Sequence, residues 1–531
     1  MMNDKTIEII IAQFIEENVI ELVSTLSECI VPDGYEILIN IITAAHRKIE
    51  VYKTAVTNSD SKFKIYLDEN IRIYNKNFLN DIIDIFKDES IGLITCIGSE
   101  IIPSDARLNI NTKRIGGLKF QDKYYEKWTS EDHLCDIRTI EGYFLATQVD
   151  IKWIDDGFIT DDYIALVYGI YIRKFGLRTV VSKNLSKGLI CKKHDITDYN
   201  EHDRLLFIEK YSYDVFPLVN ILIPTFNRPN LLKISLESAL AQTYKNIEII
   251  ISDNGEHNEN ALMLQKYFKK YKNIKYYHNK GKSFGINENF RWLINNTNPK
   301  AEYINWLMDD DLLYPGKIEL MVNYYLQYDD ITLVTSCRDL IDINGNKITD
   351  RGWNAPICDT TTKYDGKSIG KQLLLRMINF IGEPTTVLLK VASIKRHDLG
   401  WGGDEAEFVI IDFPWWLDLL SRGSLVYIHE AHSALRLHEI RDTNNRETQI
   451  NVWICWLINI RYAWNHKIYL ESEEDIEKAL LMWLEKATNQ IKIYQADGYS
   501  SKRFDLLKRI IEDVSRAMTN GYVLDFNLLL D

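Results

Sequence analysis

Three adjacent carboxylates, Asp309, Asp310 and Asp311, follow the apolar run Tyr303 to Met308 and precede Leu312-Leu313-Tyr314-Pro315. Neighbouring carboxylates repel one another unless a cation lies among them, and hard divalent ions such as Mg2+ or Mn2+ take oxygen ligands and bridge to phosphates. The plain alternative is a solvated acidic turn or a helix N-cap, where aspartate is favoured in any case. Two other short segments carry groups suited to a nucleotide: Pro224-Thr225-Phe226-Asn227-Arg228 and Asp253-Asn254-Gly255.

The elements around these segments follow from hydrophobic spacing. Leu218 to Ile223 reads as a strand that Pro224 and the Arg228-Pro229 turn bring to a stop. A helix, Asn230 to Gln242, follows with Leu232, Leu236 and Leu240 on one face. The order then repeats as strand Ile247 to Ser252, helix Asn258 to Tyr271, strand Ile274 to Tyr277, helix Asn287 to Asn295 and strand Tyr303 to Met308. Strands separated by helices need crossovers, which predicts a largely parallel, doubly wound sheet. Ligands of such sheets bind outside the carboxyl ends of the strands, where all three segments fall.

The whole chain has 531 residues, 46% hydrophobic and 26% charged, with only 10 prolines, which places it in the globular range and suggests several structural units. A net charge of -13, from 76 acids against 63 bases, argues against nucleic acid as the partner. Seven scattered cysteines without a CxxC pair read as reduced thiols. The segment Met1 to Val23 has no basic, cleanly apolar signal pattern, and no stretch approaches the ~20 apolar residues of a membrane span. A cytoplasmic protein with no transmembrane segment is therefore expected. Upstream, Ile7 to Ile11, Phe63 to Leu67, Ile91 to Ile97 and Thr179 to Val181 read as strands among helical stretches such as Asn77 to Phe86, a second α/β region. Downstream, Val452 to Ala463, Glu473 to Tyr494 and Ser501 to Met518 have helical spacing only. The expected organisation is an α/β region over 1–213, a second over 214–445 and a helical region over 446–531.

From about Phe216 to Asn444 the chain resembles family 2 glycosyltransferases of the GT-A fold. The residues that carry the resemblance are "VNILIPTFNRPNLLKISLESALAQTYKNIEIIISDNG" and "WLMDDDLLYPGKIELM", the latter similar to the family's DxD segment. The resemblance implies two GT-A-like domains in tandem if the first region is divergent. It also implies a nucleotide pocket lined by Pro224, Thr225, Phe226 and Arg228, with Asp253 accepting a uracil imide N–H. Many members read Asp-Ser-Asp-Asp, and the first of those aspartates falls on Met308 here. This makes Asp310 the first choice for the metal, Asp311 the second, and Asp309 the residue nearer the ribose. An inverting transfer needs a carboxylate to deprotonate the acceptor hydroxyl, and Asp412 in Ile411-Asp412-Phe413-Pro414-Trp415-Trp416 is the candidate, with Asp404 and Glu405 in reserve. Trp415 and Trp416 would stack on a sugar or belong to the core. "SALRLHEIRDT" resembles the closing Arg-x-His motif, so that His438 would complete the metal shell and Arg436 or Arg441 would neutralise the leaving diphosphate. Asn287 and Asn289, in the loop from Gly281, are binding candidates beside the nucleotide sugar. "GEPTTVLL" resembles the family's segment near the acceptor site.

Residues 7 to 212 resemble a divergent glycosyltransferase-like domain through "VPDGYEI", "SKFKIYLDENIRIYNKNFL", "IGLITCIGSEIIP", "EGYFLATQVDIKW" and "KKHD". Asp68-Glu69-Asn70 stands where relatives carry His-Gln-Asp, and an aspartate is missing near Ala165. By that resemblance Asp68 and Glu69 would hold a metal, with His194 and Asp195 closing the site, unless the domain is a scaffold. Together these readings imply a Mn2+- or Mg2+-dependent, inverting hexosyl-type transferase. It would use a UDP-sugar or similar donor and an acceptor hydroxyl on a bacterial surface protein, flagellin or surface glycan. The alternatives are a nucleotidyltransferase, which releases pyrophosphate, and a non-catalytic sugar- or peptide-binding scaffold.

Overall fold

The computed structural model describes residues 3–44, 46–108, 113–121, 123–128, 131–193, 199–279, 285–349, 352, 354–394, 412–438 and 445–519. The chain divides into two compact units, Met1–Phe216 and Pro217–Asp531.

The first unit is built on a seven-stranded mixed sheet in the order Glu36–Thr43, Asn3–Gln13, Ser61–Asp68, Phe144–Thr147, Ile91–Thr95, Arg178–Ser182 and Leu134–Asp136. The first three strands are parallel, and Phe144–Thr147 runs antiparallel to both of its neighbours. Asn3–Gln13 is covered on both faces, which explains its unbroken apolar run: Ile7, Ile9, Ile10 and Ile11 are all fully buried. The sequence-predicted strand Ile91 to Ile97 is split. Ile91–Thr95 stays in this sheet while Ile97–Ser99 enters a second one with Arg114–Lys119. Gly116 permits the corner, because a Cβ there would lie 2.2 Å from the Cys96 carbonyl oxygen.

The second unit places Ile274–His278, Ile247–Asp253, Leu218–Thr225, Ala301–Trp306 and Leu389–Lys390 side by side in that order. The first four are mutually parallel and the last is antiparallel. The crossover helices are Pro229–Leu240, Glu259–Lys270 and Ile286–Asn295. Pro229 opens its helix where a missing N–H costs nothing. A second sheet is built around two long parallel strands, Ile331–Ile341 and Ser424–Arg436, with Leu312–Leu313, Lys347–Ile348 and Thr362–Tyr364. It lies directly downstream of the acidic triplet, because Leu312 and Leu313 pair with Ala434 and Ser433.

The helices Arg446–Asn465, Glu473–Ala496 and Lys502–Thr519 realise the helical spacing read at the C-terminal end. Their apolar faces enter the core of the second unit. Ile450, Trp456, Trp483 and Leu507 share one hydrophobic cluster with Trp306, Phe290 and Trp416. No described helix is long and apolar enough to cross a membrane. All seven cysteines are free.

Candidate active site at the strand ends of the second unit

The strand Ala301–Trp306 ends in Leu307 and Met308, and the three aspartates then turn away from the sheet in different directions. Asp309 faces the end of Leu218–Thr225. Its Oδ2 accepts a hydrogen bond from the Thr225 hydroxyl at 2.8 Å, and Arg228 Nη1 lies 3.3 Å from its Oδ1. Burial and the adjacent Asp310 push the Asp309 carboxyl up to about 6, against the pull of Arg228 and Thr225.

Asp311 faces the other way and is fully buried. Its Oδ1 accepts from the Arg436 backbone N–H at 3.1 Å and its Oδ2 from the Thr385 hydroxyl at 2.6 Å. Burial, then Asp310 and Glu383, drive its carboxyl well above the usual carboxylate range. Both of its oxygens are held by the protein.

Asp310 is left between them. Its Oδ2 lies 2.9 Å from His438 Nε2 and 3.3 Å from Arg228 Nη1, and its side chain keeps 14% of its surface exposed. The triplet is therefore two anchors around one available carboxylate. Carboxylate, imidazole and guanidinium converge from three segments separated widely in sequence. Among the described residues no group of three or more His, Cys, Asp or Glu side chains forms a metal cage. One carboxylate with one imidazole still fits Mg2+ or Mn2+, which keep several waters and share substrate phosphates.

The rest of the nucleotide-pocket candidates are distributed unevenly. Pro224 and Thr225 are buried within the strand, while Phe226 stands 57% exposed beyond it. Asp253 is fully buried, with its oxygens taking hydrogen bonds from the Gly255 N–H at 2.8 Å and the Tyr276 hydroxyl at 2.7 Å. Asn289 is bound to Ser252 inside the sheet end, whereas Asn287 lies half-buried on the first turn of its helix. Arg436 does not extend its guanidinium into the site. Nε donates to the Asp310 carbonyl at 2.7 Å and Nη1 to the carbonyls of Asp342 and Ile343 at 2.9 and 3.1 Å. It shapes the triplet through the main chain.

Residues 9–211 match the family described as "Glycosyltransferase like family", and residues 220–394 match "Glycosyl transferase family 2". The chain belongs to the glycosyltransferases. An uncharacterized glycosyltransferase of Rickettsia typhi is 29% identical over 235 residues, which cover 44% of this chain and 68% of the relative. A GalNAc(5)-diNAcBac-PP-undecaprenol beta-1,3-glucosyltransferase of Campylobacter jejuni is 24% identical over 288 residues, 52% of this chain and 84% of the relative. Among solved structures, S. aureus TarS 1–349 in complex with UDP aligns with a TM-score of 0.40 and 11% identity, covering 58% of this chain and 83% of that one.

In the family 2 unit, Asp412 begins the helix Asp412–Arg422 and is half-buried. Burial pushes its carboxyl up to about 7, with Glu383 adding to the effect and the N–H groups of Phe413 and Asp412 opposing it. Glu383 bears electrostatically on both Asp311 and Asp412, so both carboxyls lie within its range. Trp415 and Trp416 belong to the core: Trp416 is fully buried with its indole N–H on the Gly382 carbonyl at 3.1 Å, and Trp415 stacks towards Trp306. Stacking of either ring on a sugar is excluded by that packing.

Thr385 and Glu383 escaped residue-level reading from sequence, although "GEPTTVLL" marked their segment. Pro384–Thr386 forms a single 3-10 turn, and the Thr385 hydroxyl both accepts the Met308 N–H at 3.2 Å and donates to Asp311. Arg441, Asp404, Glu405, Gly281, His194 and Asp195 lie outside the described residues.

In the first unit the corresponding acids are committed to the protein. Glu69 Oε2 accepts the N–H groups of Phe14 and Ile15 at 2.7 and 2.9 Å, at the entrance to helix Glu16–Leu26. Asp68 is ion-paired with Lys48 and accepts from Asn70 N at 2.9 Å and Asn70 Nδ2 at 2.6 Å.

Proposed function

We propose that the family 2 unit transfers one sugar from a nucleoside diphosphate donor, with a UDP-sugar as the first choice, to an acceptor hydroxyl with inversion. The observation that carries this reading is the setting of Asp310: its Oδ2 meets the His438 imidazole and the Arg228 guanidinium at the carboxyl ends of the strands, while its two neighbours are tied to Thr225, Thr385 and the Arg436 main chain.

Asp310 and His438 are the residues that would hold Mg2+ or Mn2+, which when bound offsets the charge of the departing diphosphate. Arg228, already between Asp309 and Asp310, contributes a fixed positive charge on the same side. Asp309 and Thr225 border the ribose. Phe226 offers an exposed ring to the base, and Asp253 would give up its Gly255 or Tyr276 bond to receive an imide N–H. Asp412 takes the proton of the acceptor hydroxyl. A carboxyl raised to about 7 suits that task, because a general base works best when its pKa is near the working pH. Arg436 and Thr385 keep Asp311, and through it the turn, in place.

For the acceptor, two relatives favour a glycan over a protein: the Campylobacter glucosyltransferase, and a chondroitin synthase of Escherichia coli that is 29% identical over 150 residues, 28% of this chain and 21% of that one. A cytoplasmic site of action accords with a nucleotide-sugar donor.

A panel of nucleotide sugars incubated with Mn2+ or with EDTA tests the reading through release of nucleoside diphosphate. Release that requires the metal and disappears in Asp310→Ala supports it. Equal release by parent and variant would refute the assignment of the site, and pyrophosphate as the product would make the enzyme a nucleotidyltransferase.

A further inference from the structure

The strand Glu36–Thr43 ends the seven-stranded sheet of the first unit, and among the described residues only Asn3–Gln13 pairs with it. Its outward backbone N–H and C=O groups are a template for a further strand, and natural sheets blunt such edges by keeping them short, by placing lysine, proline or a bulge on them, or by covering them. The other sheet ends of this molecule follow that practice. Leu134–Asp136 and Ile71–Ile73 have three residues each, Leu389–Lys390 has two, and Ile274–His278, with five, carries Lys275. Glu36–Thr43 has eight residues with no lysine, arginine, proline or glycine among them, and its register against Asn3–Gln13 runs without a shift. Asn40 does not guard it, because its amide is turned onto Glu8 Oε1 at 3.2 Å.

The side chains of this edge are open as well. Ile37, Ile39 and Ile41 share one face and lie beside Ile7, Ile9 and Ile11 of the neighbouring strand. Those three are fully buried in a cluster with Val19, Leu22 and Leu26 of helix Glu16–Leu26, whereas Ile39 is 38% and Ile41 44% exposed. Leu38, on the opposite face, is 51% exposed.

The pattern selects the occupant. Residues that oppose each other across an antiparallel pair point to the same side of the sheet, so a strand that pairs with its own copy about a two-fold axis has one residue opposite itself. With Ile39 in that place, Ile37 meets the partner's Ile41 and Ile41 meets the partner's Ile37, an unbroken apolar stripe. Leu38 meets the partner's Asn40 and Glu36 meets the partner's Ile42, so no like charges are opposed. Joining two identical edges leaves neither of them open and closes the assembly at two copies.

We propose that Glu36–Thr43 pairs antiparallel with the same strand of a second copy of this chain, centred on Ile39, so that one sheet runs through two first units. A contact about 23 Å long and one strand wide is smaller than the ~800 Å2 per partner of a standard interface, which sets the dissociation constant in the micromolar range. The pairing does not depend on the mechanism assigned to the family 2 unit.

The test is sedimentation velocity of the full chain from about 1 to about 100 µM, a range that brackets a micromolar constant. The parent should pass from monomer to dimer and stop there. Ile39→Lys sets two ammonium groups against each other on the axis and should weaken the dimer by about a hundredfold or more. A thermal midpoint close to the parent's verifies that this variant is folded. Cysteine variants read the register independently. Ile39→Cys should crosslink to its own copy under mild oxidation where the parent does not, because opposed Cα atoms lie ~4.5–5.5 Å apart, within the span of a disulfide. Thr43→Cys should stay uncrosslinked, because about 26 Å of strand would separate the two thiols. A parent that is monomeric up to about 100 µM overturns the proposal and leaves the edge to a strand of another protein. So does a dimer that Ile39→Lys leaves intact, crosslinking of Thr43→Cys in place of Ile39→Cys, or growth past the dimer.

Discussion

Each unit carries a run of acidic and amide residues at the end of a buried parallel strand, and the two runs have opposite fates. In Asp68-Glu69-Asn70 the lysine of a neighbouring helix, the Asn70 amide and a helix entrance consume both acids. In Asp309-Asp310-Asp311 only the outer two are consumed, by Thr225 on one side and by Thr385 and Arg436 on the other. What separates a structural acid from one available for chemistry is therefore the number of its oxygens that the fold has already supplied with donors. Acid count alone does not distinguish the units.

The largest effect is expected where that difference is carried to the acceptor side. Asp412→Asn should lower kcat by about a hundred- to ten-thousand-fold, and parent turnover should rise with pH to a shoulder near 7, read by nucleoside diphosphate release. The stability effect has the opposite sign. The Asp412 carboxyl has a higher pKa folded, about 7, than its ordinary 3.8, so the folded state holds the extra proton between those values and stability is lost as pH rises through them. Asp412→Asn should therefore melt above the parent at pH 8 and not at pH 4. A variant that turned over normally would remove Asp412 from the mechanism.

Next come the two kinds of aspartate in one triplet. Asp310→Ala should cut turnover by about a hundred- to a thousand-fold with a near-parental midpoint in urea. Asp311→Ala strands the Thr385 hydroxyl and the Arg436 N–H and should cost about 2–3 kcal/mol of stability. Equal losses of stability in the two variants would erase the distinction drawn between anchor and available carboxylate. Smaller still, Glu69→Ala in the first unit removes the acceptor at a helix entrance and should cost about 1–2 kcal/mol, with donor turnover per folded molecule unchanged. Turnover abolished by Glu69→Ala would break the comparison between the units. A stability change of the same size is expected for Thr385→Val, about 1–2 kcal/mol with a few-fold loss of turnover, because the Met308 N–H and one Asp311 oxygen lose their partner while the Arg436 N–H still holds Asp311.

The alternation of strand and helix from Leu218 onward was legible because the apolar runs keep a strand or helix period and several of them end near a Pro or Gly. The expected strand Leu218 to Ile223 extends two residues further in the structure, through Pro224 and Thr225. The split at Cys96 was not legible, since "IGLITCIG" has an unbroken apolar pattern and the corner depends on Gly116, a residue of another strand. The acids of the candidate site stand out in the sequence, but not the partners that hold each of them. Asp311 is held by Thr385, 74 residues away, and by Arg436, 125 residues away, and no local pattern encodes either contact. Trp415 and Trp416 show the same limit. An aromatic pair beside an aspartate looks alike in sequence whether it faces a sugar or, as here, the Trp306 core.

The shared cluster of Trp306 with Ile450, Trp456, Trp483 and Leu507 sets the smallest piece of this polypeptide that can work. Residues 220–394 bear the family signature, but a fragment trimmed to them would leave the apolar cluster around Trp306 without Ile450, Trp456, Trp483 and Leu507. Heritable changes in the tail would then reach turnover through the firmness of the strand Ala301–Trp306 that leads to Asp310.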